Sequence, residues 1–221
     1  MTAHELIDVF DEMGHRVGVR DRATVHAEGW WHQAFLLLLV APRIGAPAVI
    51  LQRRAATKLA FPDLLDLSAT GHLGAGERPL DGVRELREEL GIDVAPESLH
   101  QLGVRRIVDE TPEGLNREFC HVFLALDDRP LEAYRPDPAE VSTVVELGID
   151  DGRSLFAGRA DEVRATEWHP GGERRPIAVR REHFVPEGIL GDVAPGSGYG
   201  YWLALLTMAQ RLCEGDTRLA I

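Results

Sequence analysis

The chain has 221 residues, 44% hydrophobic and 27% charged, a composition that excludes general disorder. Its 24 Lys+Arg stand against 36 Asp+Glu, a formal charge of −12, which argues against a non-specific nucleic-acid binder because phosphate contacts need surplus cations. Anionic substrates stay open, since carboxylates around a divalent cation can still receive phosphate. Cys120 and Cys213 lie far apart and form no C-x-x-C pair, so inert thiols are expected rather than a disulfide framework or a zinc site. The longest apolar run, Ala34–Ala41, has 8 residues. A membrane span needs about twenty, and no signal-peptide pattern opens the sequence. A cytoplasmic protein with no membrane partner is expected.

In chain order, Glu5–Phe10 and His15–Val19 flank the polar Asp11–Gly14 and predict a hairpin. Arg20–Gly29 reads as a short helix or loop. Ala34–Val40 predicts a strand buried on both faces, and Ala48–Arg53 returns as its partner. Leu64–Leu73 predicts an extended segment. Pro79 suits a helix's first turn, Leu80, Val83, Leu86 and Leu90 carry helical spacing, and Gly91 stops that helix. Leu102–Val108 and Glu118–Leu126 predict strands about a turn at Pro112–Gly114. Beyond Asp127 the pattern predicts a short strand at Ser142–Glu146, helix over Arg159–Trp168, a strand at Pro176–Phe184 and a Gly/Pro-rich loop to Gly200. Tyr201–Cys213 predicts a closing helix with Leu203, Leu206, Met208 and Leu212 in its core. This irregular order favours α+β packing over a βαβ series. Asp127–Pro176 holds too few apolar residues for a second core, so residues 1–221 are expected to form one domain.

One segment carries the chemistry. On the helix, Glu85, Glu88 and Glu89 fall at i, i+3 and i+4 and share a face. Like charges so placed repel by a few tenths of a kcal/mol per pair. The cost makes sense if a hard divalent cation sits among them, since Mg²⁺ takes oxygen ligands and partners substrate phosphates.

Gly71-His-Leu-Gly-Ala-Gly-Glu77 followed by Arg84-Glu-Leu-Arg-Glu-Glu-Leu-Gly-Ile92 resembles the Nudix box, G-x5-E-x7-R-E-U-x-E-E-x-G-U with U aliphatic. The departure is six residues instead of seven between Glu77 and Arg84, which bears on the pairing of those two side chains. The resemblance extends over about residues 5–126. Asp8–Gly14, Val25-His26, His32–Phe35, Leu51–Arg54 and Asp66–His72 look like the Nudix branch that contains isopentenyl diphosphate isomerases. It implies a Nudix fold, a mixed sheet sandwiched between helices, with a core of about residues 30–170. A hairpin at residues 5–20 and an extension over about 171–221 would flank it. The extension would shape substrate binding or a homodimer contact.

The isomerase metal site uses three histidines and two glutamates. His26, His32 and His72 match the histidines and Glu118 one glutamate, but Asn116 holds the other position. Thr70 stands where the isomerase has its essential cysteine, and a threonine hydroxyl is far too weak an acid to replace that thiol. The isomerases also degrade the acidic box, which this chain keeps. The resemblance therefore implies a hydrolase of nucleoside diphosphates linked to another moiety. Isomerase-like chemistry and non-catalytic ligand binding are the alternatives.

In that reading Glu85, Glu88 and Glu89 bind Mg²⁺ or Mn²⁺, Glu88 or Glu118 is the base, and Gly71, Glu77 and Arg84 shape the box. Glu110 and Glu140 compete with Glu118. His72 and Arg54 are candidate substrate contacts, as is Arg53. His26 and His32 read as residues bonding loop to core, with metal ligation the alternative. Trp30 and Trp31 read as core or interface.

Overall fold

The computed structural model describes residues 5–186 and 200–221. Strands β1 (Leu6–Phe10) and β2 (Arg16–Asp21) form the expected hairpin, and helix α1 (Arg22–Glu28) follows. Asp21 caps α1 by accepting from the Thr24 N–H, and Gly29 ends it in the left-handed conformation at φ 66°. Then come β3 (Trp31–Ala41), β4 (Ala48–Arg54), the short β5 (Leu65–Asp66) and β6 (Ala69–His72). Helix α2 (Arg84–Leu90) is followed by the long hairpin β7 (His100–Thr111) and β8 (Gly114–Leu126). After it come β9 (Val141–Gly148), α3 (Ile149–Phe156), β10 (Val163–Trp168), β11 (Arg174–Val179) and α4 (Gly200–Cys213).

Among the described residues eleven strands join one mixed sheet, with a backbone order β11-β10-β9-β4-β3-β1-β2. The pairing of β3 with β8 is parallel, and β6 and β7 join through β3 and β8. Strand β3 is buried on both faces, as its unbroken apolar run predicts. Phe35, Leu37 and Leu39 pack with Leu86 and Leu90 of α2. Leu38 and Val40 face the other side, with Leu155 and Phe156 of α3 and Trp202, Leu205 and Leu206 of α4. The sheet is thus sandwiched between α2 and the α3–α4 pair.

Four expectations need correction. Arg159–Trp168 is not helical: Val163–Trp168 is β10, paired to β9 and β11, while the helix lies earlier at α3. The segment from Leu80 to Leu90 is not one α-helix, because Pro79–Val83 is a 3₁₀ turn and α2 begins at Arg84. The last predicted strand starts and ends early, at Arg174–Val179. On α4 the buried residues are Trp202, Leu205, Leu206, Ala209 and Leu212, with Leu203 and Met208 only half-buried. The expected Gly/Pro-rich loop falls almost wholly on residues 187–199, outside the described ones. Among the described residues no helix is long and apolar enough to cross a membrane. Cys120 is buried and Cys213 half-buried, both as free thiols.

Candidate active site

Arg84, at the start of α2, organises the box. Its Nε and Nη2 donate to the two Glu77 oxygens at 2.8 and 3.0 Å, and Nη2 also donates to the His72 carbonyl at 2.9 Å. Its Nη1 donates to Glu85 at 2.5 Å and to Glu88 at 3.0 Å. The clamp between Glu77 and Arg84 therefore forms despite the shortened spacing. A 3₁₀ turn rises about 2.0 Å per residue against 1.5 Å in an α-helix. The turn at Pro79–Val83 thus covers the distance with one residue fewer.

The three box carboxylates differ in setting. Glu88 is exposed, while Glu85 and Glu89 are buried. Glu89 accepts from the Thr70 N–H and from Gln52 Nε2, both at 3.0 Å. Burial pushes the Glu85 carboxyl up to about 7. Burial, and then the charge of Glu85, hold Glu89 well above the ordinary carboxylate range. Gly71 faces this pair: a Cβ there would lie 2.2 Å from the Glu85 carboxyl, so only glycine leaves the carboxyl its place. Buried, mutually repelling oxygens of this kind fit a hard divalent cation.

A second group forms opposite. His26 from α1, His32 from β3 and His72 from β6 bring one ring nitrogen each within 4.8 Å of one another. Parallel pairing sets Glu118 of β8 beside His32, and its carboxylate lies 3.3 Å from His72 Nε2 and 3.7 Å from His32 Nε2. Burial raises the Glu118 pKa, but His32 and His72 outweigh it and hold the carboxyl well below its usual range. Burial, with the neighbouring His72 and His32, drops His26 to about 4.

The expected loop-to-core bonding holds for one nitrogen of His32, whose Nδ1 contacts the Trp30 carbonyl at 3.0 Å. It fails for His26, where both nitrogens are buried with no hydrogen-bond partner. Orphaned imidazoles converging on a carboxylate are chemically suited to a transition metal.

Glu118 thus stands with the histidines, on the strand paired to β3. Both groups nevertheless open on one cavity of about 1020 Å³. Arg54 also lines it, donating to Asp66 at 3.1 Å, and Lys58 pairs there with Glu140. Arg53 is drawn away, donating to Glu167 at 2.7 Å. Trp31 is buried and stacked on Phe119 at 4.8 Å, which fits its reading as core. Two cavity residues had no sequence signal: Arg105 and Tyr201, the second 96 positions beyond the first.

The profile of the NUDIX domain matches residues 30–173, a span that holds the whole Arg84 clamp and every box carboxylate. The chain belongs to the NUDIX domain family. An uncharacterized Nudix hydrolase of Clostridium acetobutylicum is 31% identical over 206 residues, covering 91% of this chain and 95% of that protein. An isopentenyl-diphosphate Delta-isomerase of Cutibacterium acnes is 33% identical over 155 residues, covering 66% of this chain and 75% of the isomerase. A Deinococcus radiodurans crystal structure superposes with a TM-score of 0.51 at 23% identity, covering 70% of this chain and 90% of that one. It shows the shared fold. Nudix hydrolases generally use a divalent metal.

Proposed function

We propose that this chain is a metal-dependent hydrolase that cleaves the pyrophosphate bond of a nucleoside diphosphate linked to another moiety. The observation that carries this reading is the intact box: Glu85, Glu88 and Glu89 open on a cavity that also holds Arg54 and Lys58. Glu85 and Glu89 would hold Mg²⁺ or Mn²⁺ together with Glu88. A divalent cation bound there supplies charge neutralisation for the diphosphate and a lowered pKa for a coordinated water. Glu88, exposed to the cavity, would take the proton as water attacks phosphorus, the P–O bond to the leaving phosphate breaking as the new one forms. Arg84 would orient the carboxylates, its donors being committed to Glu77, Glu85 and Glu88.

The test is a product screen over diphosphate compounds with Mg²⁺ or Mn²⁺. Wild type should release phosphate-containing products from at least one, and Glu88→Gln should cut turnover by about a hundredfold or more while staying folded. A folded Glu88→Gln protein with normal turnover would sink the assignment.

One observation favours a second reading. The convergence of His26, His32, His72 and Glu118 supports isomerase-like chemistry on an isopentenyl-type diphosphate, or a transition metal serving hydrolysis. Incubation with isopentenyl diphosphate separates them: the allylic isomer would favour the isomerase, free phosphate or pyrophosphate the hydrolase. Thr70, without a thiol, weighs against isomerisation.

A further inference from the structure

Five arginine or lysine side chains line the cavity: Arg22, Arg54, Lys58, Arg84 and Arg105. Four are held by carboxylates, Arg22 by Glu113, Arg54 by Asp66, Lys58 by Glu140 and Arg84 by Glu77. Arg105 differs. Among the described residues it has no carboxylate partner, and its guanidinium lies 4.0 Å from the Tyr201 ring centroid. Contact with an aromatic ring does not neutralise a guanidinium, whose N–H donors can still meet an anion.

The sheet register says where this charge stands. Arg105 of β7 faces Cys120 of β8, Cys120 faces Ala34 of β3, and Ala34 faces His72 of β6. Arg105 therefore lies in the His72 row, three interstrand steps away, or about 14 Å of backbone at about 4.8 Å per step. Ile107 and Asp109, also on β7, line the cavity with it. The guanidinium thus enters the cavity from β7, three strands away from His72. Its stacking partner comes from α4, beyond the residues 30–173 that match the family, and Trp202 beside it also lines the cavity. Trp202 is fixed by donating to the Val185 carbonyl at 3.2 Å.

We propose that Arg105 is a substrate-binding residue that takes a phosphate of the diphosphate substrate, and that Tyr201 is its positioning residue. The inference rests on the diphosphate reading above. A cation with no carboxylate partner among the described residues, in a cavity rich in carboxylates, is a specific address for an anionic group, and a planar fork suits a phosphate's paired oxygens. Substrate selection would then depend partly on the C-terminal extension.

Calorimetric titration of the full chain with inorganic pyrophosphate in excess Mg²⁺ tests this. Arg105→Gln should weaken pyrophosphate binding about tenfold or more, with Mn²⁺ affinity and melting temperature close to wild type. Arg105→Lys should recover part of the loss. Tyr201→Phe, which keeps the ring, should bind as wild type, and Tyr201→Leu should lose several-fold. Arg105→Gln binding pyrophosphate as tightly as wild type would overturn the proposal. So would a loss matched by a fall in melting temperature, which would make Arg105 a packing residue for α4. Glu85→Gln separates the two readings. If it weakens binding and Arg105→Gln does not, only the Arg105 assignment fails. If wild type binds no pyrophosphate, both readings fail.

Discussion

A single missing side chain makes room for the carboxylate pair. Gly71 leaves the Glu85 carboxyl a place that a Cβ would enter at 2.2 Å. Because the clash is with the end of a flexible side chain, Gly71→Ala should move that carboxyl and cost little folding stability. Mn²⁺ affinity, measured by titration, should fall about tenfold or more, the scale of a displaced ligand or its support. A melting temperature within a few degrees of wild type would accompany it, and unchanged Mn²⁺ affinity would count against Glu85 as a ligand. Much of this was legible in sequence, because Gly71, Glu77, Arg84 and the three glutamates lie within 19 positions and their spacing is local. The histidine group was less so. His26, His32 and His72 sit on a helix and two strands, and only the sheet register sets them against Glu118. No local periodicity reports that geometry.

At the scale of elements, the main misreading lies at Arg159–Trp168, and its cause is visible. In β10, Val163 and Ala165 are buried with Arg164 exposed between them, a period of two. That signal is masked because the next inward residue is Glu167, a carboxylate. The helix nearby, α3, opens with Asp150-Asp151-Gly152, which reads as a turn. Glu167 is accommodated by three partners. It accepts from Arg53 Nε at 2.7 Å and from Thr143 Oγ1 at 2.9 Å, and it lies 3.1 Å from His169 Nε2. Burial raises its pKa, but these partners prevail and lower it below the ordinary 4.5. A depressed carboxylate contributes stability above its unfolded pKa, and the contribution is lost as pH falls through the folded value. Glu167→Gln should therefore be less stable than wild type at neutral pH by about 1–3 kcal/mol. The gap should close as pH drops below 4.5. Urea unfolding at a series of pH values measures it, and a gap independent of pH would show that packing, and not charge, holds Glu167.

At the scale of the whole molecule, the question is whether α4 is an appendage. The helix itself was legible from its apolar density, but which of its faces is buried was not, because apolar residues ring it. Trp202, Leu205, Leu206, Ala209 and Leu212 turn inward, and Trp202 settles the choice. Its ring stacks on Phe156 of α3 at 5.5 Å and 7°, and meets Phe184 edge-on at 5.2 Å. Leu219 is buried in the same cluster, and the Ile221 N–H donates to the Leu102 carbonyl of β7. We propose that residues 1–221 fold as one domain whose core α4 completes. Fully burying a leucine contributes about 1.5–3 kcal/mol, so removing α4 strips several such terms from a fold whose total margin is about 5–15 kcal/mol. A chain ending at Pro186 should be insoluble, or unfold without a cooperative transition. Trp202→Ala, a milder lesion costing about 3–5 kcal/mol, should lower the melting temperature while leaving the protein folded at 25 °C. A chain ending at Pro186 that melts cooperatively at the wild-type temperature would show that the sheet and α3 form a complete core alone. The wall carrying Tyr201 would then be an addition to the domain.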